Sequence, residues 1–190
     1  MRTSKAVTLL AVCLWPVSGM RAQAPTNPDP VSAAARQIVS RQAEHLIAAA
    51  EAMPAEKYGY RPTPQQMSFG ELVLHIARSN MFLCGQIGGQ AGQMPAGLSA
   101  DSPRERLVAA LRDSFHFCEQ ALAGLRDAQL GDPVRLFGGR TGSRAEALLA
   151  LTNDLADHYA QAAIYLRLNG LLPPTARRPA AERPRDPEKP

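Results

Sequence analysis

Between residues 30 and 170, apolar side chains recur every three or four positions, and no alternation of strand type runs for a useful length. Ala, Leu, Gln, Glu and Arg, all good helix formers, dominate this stretch. Three of the apolar-periodic runs open with the same signal: Ser68-Phe-Gly-Glu71, Ser102-Pro-Arg-Glu105 and Ser143-Arg-Ala-Glu146. In such a box the serine hydroxyl caps the helix, and the glutamate three residues on returns a bond to the serine N–H. Pro103 fits the first helical position, where its missing N–H costs nothing. The pattern predicts helices over 31–53, 69–87, 103–125 and 144–169. Pro54, Gly88-Gly89 and Gly170 supply stops, with Pro173-Pro174 beyond the last. Helices of about 20 residues are each about 30 Å long, so the fold class is all-α, a four-helix bundle. The connections 54–68, 88–102 and 126–143 are longer than hairpin turns between neighbouring helices require. At least one of them is expected to run the length of the bundle.

Composition changes the picture at the two ends. The chain has 190 residues and a net charge of +4. Of its 21 Lys and Arg and 17 Asp and Glu, three bases precede residue 25, and five bases and three acids follow residue 176. Residues 25–176 keep 13 bases and 14 acids, so no basic folded domain exists and nucleic acid is excluded as a partner. Arg2 and Lys5, the apolar run Ala6–Trp15 and Ala22-Gln23-Ala24 read as a signal peptide over 1–24. Pro16, Ser18, Gly19 and Arg21 cut the run short of the roughly 20 residues a span needs. No stable membrane span is expected after cleavage. Pro25 disfavours a cut directly after Ala24 and leaves a neighbouring site or an uncleaved anchor open. Leu10-Ala-Val-Cys13 makes a poor lipoprotein box, so no lipid anchor is expected. The expected location is exported, periplasmic or secreted. Residues 177–190 alternate proline with charge and carry no apolar side chain larger than alanine, the composition of a disordered tail. That leaves one bundle domain over 25–176.

Export leaves Cys84 and Cys118 in an oxidising compartment. Each lies 16 residues after its serine, Ser68 or Ser102. If helices 2 and 3 run parallel, the thiols share one level and a disulfide is within reach. If they run antiparallel, the levels differ by roughly 15 Å and no bridge forms. Two buried free thiols are the plainer alternative.

The candidate chemistry lies with the histidines. Asp154 and His158 are four apart on helix 4 and share a face beside the stripe Leu148, Leu151, Leu155, Ala162 and Leu166. His75 shares an apolar face of helix 2 with Leu72 and Phe82. In an antiparallel pair of helices 2 and 4 the three meet, giving two imidazoles and a carboxylate. That set suits a divalent metal, Zn, Ni, Fe or Mn, with positions left open. The plainer reading is a hydrogen-bonded core histidine. Tyr159 and Gln161, beside His158, are candidate supporting donors, Tyr159 equally a packing aromatic. His45 fits the bundle lining or the surface, and His116, between Phe115 and Phe117, fits a structural or exposed role.

These pieces carry a resemblance. Ala49-Ala-Glu-Ala-Met-Pro54, Lys57-Tyr-Gly-Tyr-Arg-Pro-Thr-Pro64, Ser68-Phe-Gly-Glu-Leu72 with His75-Ile-Ala77, His158-Tyr-Ala-Gln161 and Tyr165-Leu-Arg-Leu-Asn-Gly170, in this order, resemble the DinB/YfiT-like four-helix-bundle metalloenzymes. Most of 31–176 is covered. The likeness is to an exported branch with two paired cysteines, here Cys84 and Cys118. It implies an up-down-down-up course with helices 2 and 3 parallel. It also implies a divalent metal held by one histidine on helix 2 and a His-x-x-x-His pair on the last helix. These fall on His75, position 154 and His158. Position 154 is Asp, which makes the site harder and one unit more negative, or marks a lost site in which Asp154 only hydrogen-bonds His158. Some relatives of this fold use a metal-bound thiol in transfer or isomerisation.

Three functions follow. The first is an exported metal-dependent enzyme, hydrolase- or thiol-transferase-like, acting on a small molecule. The second is a non-catalytic helical module that binds a metal, small molecule or partner. The third is a structural bundle without metal. No Ser/His/Asp or Cys/His nucleophile arrangement and no second carboxylate base stands out. A homodimer is an expectation by analogy alone.

Overall fold

The computed structural model describes residues 27–177. The expected signal peptide and nearly all of the expected tail lie outside the described residues. Four helices carry the fold: α1 Pro30–Ala52, α2 Phe69–Gly88, α3 Arg104–Ala123 and α4 Arg144–Leu168. The expected boundaries hold to within two residues. Two of the three capping boxes form. Ser68 accepts from the Glu71 N–H and Ser143 from the Glu146 N–H, and each glutamate bonds back to the serine N–H. The third does not. Pro103 is the N-cap of α3, one residue later than the motif predicts, so Ser102 lies outside the helix and its hydroxyl accepts from the Ser99 N–H at 3.0 Å.

The start of α1 has no cap of its own. Asp29 makes no side-chain cap, and Asp127, from the turn after α3, accepts instead from the N–H groups of Val31 and Ser32 and from the Ser32 hydroxyl. Asp29 in turn accepts from the Asp127 N–H at 2.8 Å. The connection from α3 to α4 also contains a small hairpin that no alternation announced. Strand β1, Pro133–Arg135, pairs antiparallel with β2, Thr141–Ser143, in the register Val134↔Gly142. Its turn passes through Gly138 and Gly139, both at positive φ, where glycine is the least strained residue.

Contacts along the helices fix their directions. Between α2 and α3, the Asn80 amide donates to the Ser114 hydroxyl at 3.1 Å, Cys84 is bonded to Cys118 with Cα atoms 5.0 Å apart, and Gly88 lies against Ala121. Both numbers rise together, so α2 and α3 run parallel. Between α2 and α4, Phe69 meets Tyr165 and His75 meets His158, so this pair is antiparallel. Arg36 donates to the Leu122 carbonyl and Arg104 to the Glu51 carbonyl, so α1 and α3 are antiparallel too. His45 packs against Tyr159, the rings tilted and their centroids 5.1 Å apart, toward the upper end of α1 and α4, which run together. The course is up-down-down-up. Helices α1 and α2 occupy one diagonal, α3 and α4 the other.

The core between the helices is aliphatic, with Leu46, Leu72, Ile76, Leu83, Leu111, Leu151 and Leu155 essentially inaccessible. Burying side chains of this size contributes about 1.5–3 kcal/mol each before entropy is subtracted. Asn80, Ser114 and His158 are the polar exceptions of interest. Among the described residues no helix is long and apolar enough to cross a membrane.

Candidate metal centre

His158 sits mid-way along α4, on the buried stripe with Leu151, Leu155 and Ala162, and is 5% exposed. Asp154 lies one turn earlier and is half-buried. The antiparallel packing of α2 on α4 brings His75 to the same level, its ring edge-on to that of His158 with centroids 4.9 Å apart. One donor atom from each of His75, Asp154 and His158 lies within 4.8 Å of the other two. The three residues expected from the spacing therefore come together and could hold a metal ion.

The hydrogen bonding of this cluster is incomplete. Nε2 of His158 is 3.2 Å from Oδ1 of Asp154, but the ring is not aligned for a hydrogen bond. Both ring nitrogens of His158 and Oδ2 of Asp154 are buried without a partner. Native proteins rarely leave such atoms unpaired, because each costs about 1–3 kcal/mol in lost solvation. A cation among them would satisfy a nitrogen and a carboxylate oxygen at once. Although His75 is exposed at the edge, desolvation of its ring against the bundle, and next the charge of His158, hold the imidazole below the ordinary histidine range, against the opposing pull of Asp154. The neutral ring is the form that ligates metals.

Tyr159 and Gln161 make their bonds elsewhere. The Tyr159 hydroxyl lies 2.7 Å from that of Thr175 and accepts from the Thr175 N–H, and the Gln161 amide donates to Asp157 at 2.8 Å. Neither supports the three candidate ligands here. Tyr159, one residue on, points about 100° away from His158, whereas Gln161, three residues on, stays near that face but commits its amide to Asp157. His45 packs on Tyr159, between α1 and α4. His116 is exposed and bonded to Gln120.

The sequence reading missed the surroundings of His75. A cleft of about 400 Å³ opens beside it, lined by Met67, Glu71, Leu74, Arg78, Leu98 and Ser99. Arg78 lies one turn after His75, a spacing that could have flagged it. The opposite wall comes from the α2–α3 connection and has no local signal.

A family model described as the DinB superfamily matches residues 38–162. Three solved structures share the fold. A DinB-like protein from Bacillus cereus is 17% identical with a TM-score of 0.62, covering 74% of this chain and 93% of its own. A DinB-like protein from Bacillus subtilis is 22% identical with a TM-score of 0.60, covering 75% and 99%. A conserved protein from Enterococcus faecalis is 17% identical, also at 0.60, covering 73% and 96%. At these identities the likeness speaks to the fold alone. A comparison with curated proteins finds no match.

Proposed function

Because the chain belongs to the DinB superfamily, we propose that it holds one divalent cation between His75, Asp154 and His158 and acts as an exported metal-dependent enzyme of hydrolase or thiol-transferase type. The observation that carries this reading is the buried, unpartnered imidazole of His158 beside the unpartnered carboxylate oxygen of Asp154. Two imidazoles and a carboxylate suit Zn²⁺, Ni²⁺, Fe²⁺ or Mn²⁺ and leave positions open for a substrate. A cation held there supplies Lewis acidity, lowering the pKa of a coordinated water or thiol toward neutrality. His158 and Asp154, fixed one turn apart on a rigid helix, set the depth of the site. His75, exposed at the edge, leaves the outer side open to solvent and substrate. The leucines above and below keep water from the inner side.

Export is supported by the Cys84–Cys118 disulfide, which persists in an oxidising compartment. In this reading residues 1–24 are removed as a signal peptide, 25–176 form the bundle, and 177–190 trail from it.

The test is metal analysis of the protein purified from a periplasm, with Asp154→Ala and His158→Ala alongside. About one equivalent of metal in the wild type, lost in both variants, supports the reading. Metal-free protein whose thermal stability ignores chelators and added zinc leaves the Asp154–His158 couple a structural pair and overturns it. Turnover against hydrolysis and thiol-conjugation panels then separates an enzyme from a metal-binding module.

A further inference from the structure

The connection between α2 and α3 does not hang free. At one end Gly85 and Gly92 let it press on the helix: a Cβ on Gly85 would lie 2.6 Å from the Gln90 carbonyl oxygen, and one on Gly92 would lie 2.7 Å from that of Met81. At the other end a Cβ on Gly70 would lie 2.6 Å from the Ala100 carbonyl oxygen. Between these anchor points the connection arches away from the middle turns of α2. Two clefts open under the arch, and Arg78 lines both. The one toward His75 is about 400 Å³; the other, about 290 Å³, is lined by Met81, Phe82 and Met94 as well as Gly85 and Gln86. Phe82 is held there by stacking on Phe137, with centroids 4.6 Å apart.

The charge in this groove is uneven. Glu71 is compensated, paired with Arg61 at 2.7 Å and bonded to the Ser68 N–H. Arg61, Arg112, Arg140 and Arg144 each sit beside a carboxylate. Arg78 sits beside none among the described residues, is exposed, and makes no hydrogen bond there. A guanidinium left without a counter-ion between a candidate metal ligand and a patch of methionine and phenylalanine is a fork for a carboxylate. We propose that the groove binds an anionic amphiphile as the substrate of the metal site. Its carboxylate lies on Arg78, its apolar part along Met81, Phe82 and Met94, and its reacting atoms on the His75 side. This assignment rests on the metal reading above, and it adds the class of molecule.

The probe is octanoate, with 1-octanol as its uncharged counterpart, titrated calorimetrically into zinc-treated and chelator-treated protein. The variants are Arg78→Gln, at an exposed position that leaves the core intact, and Phe82→Ala. Octanoate is expected to bind the wild type more tightly than octanol. Arg78→Gln should weaken octanoate at least about tenfold and leave octanol unchanged, the loss expected for one charge-assisted contact. Phe82→Ala should weaken both. Equal octanoate affinity in the wild type and Arg78→Gln, no preference for octanoate over octanol, or no binding at all overturns the proposal. Zinc content is read separately on the same samples. Arg78-dependent octanoate binding by a protein that holds no zinc overturns the metal reading and the substrate role with it, while the anion site stands.

Discussion

Nε2 of His158 lies 3.2 Å from Oδ1 of Asp154, one helical turn away, and the two make no hydrogen bond. A buried i,i+4 pair that served only itself is expected to align, because buried polar groups are normally hydrogen-bonded. Held out of line, both groups keep lone pairs for a third partner. Asp154→Asn keeps the shape and removes the charge. Zinc affinity of this variant, measured by competition with a chromophoric chelator, should fall by at least about tenfold, the lower end for damage to a metal site. The melting temperature of the wild type should rise with added zinc while that of the variant stays flat. A variant that binds as the wild type does excludes Asp154 as a ligand.

Glu71 and Glu146 close the capping boxes of α2 and α4. The N–H of Ser68 for Glu71, and that of Ser143 for Glu146, is the main cause holding each carboxyl below the ordinary value of 4.5, with Arg61 and Arg140 next. A depressed carboxylate contributes stability that is fully present above 4.5 and is lost as pH falls through the folded-state value. The wild-type melting temperature should therefore decline below that point. Glu71→Gln with Glu146→Gln keeps an acceptor for the serine N–H but cannot titrate. Its melting curve between pH 3 and 5.5 (a range set about the carboxylate reference value) should be flatter than the wild type's. Parallel slopes would remove these two groups from the acid response.

How much of this was legible follows the range of each interaction. Ser68 and Ser143 announced their helices because a capping box is local, four residues long and closed on itself. Ser102 carried the same letters and failed, because Pro103 took the cap and shifted the hydroxyl outside the first turn. The meeting of His75 with His158 was legible because two helical periods and one assumption about direction set it. The cap on α1 was not, since Asp127 reaches it from 95 or more residues away. Nor was the β1–β2 hairpin, whose three-residue strands are too short to establish an alternation. Tyr159 looked like a neighbour of the site by sequence, yet its hydroxyl is committed to Thr175.

The Asp127 cap gives a local test. Asp127→Ala should leave the rest of the bundle folded and release the first turn of α1. Amide exchange at Val31 and Ser32, followed by NMR, should accelerate toward unprotected rates while α2 and α4 exchange as before. Unchanged protection at those two amides would mean that Asp29 or water replaces the cap.

The Cys84–Cys118 bridge spans a sequence separation of 34. Closing a loop of that length stabilises by about 3–4 kcal/mol on the chain-entropy model. Cys84→Ala with Cys118→Ala should lower the unfolding free energy in urea by that amount, less any strain the bridge carries. The wild-type mass should be two hydrogens lighter without reductant than with it. Since both cysteines are fully buried, reduction should require unfolding.

The bridge and the arch also belong to one another. The chain from residue 84 to residue 118, closed by sulfur, is a macrocycle, and the segment that roofs the Arg78 groove is part of its circumference. Losing every non-covalent grip at Gly70, Gly85 and Gly92 would loosen that roof without freeing it, because its slack is bounded by the ring. Whatever enters the groove thus meets a roof tethered at both ends for as long as the surroundings keep the two sulfurs joined.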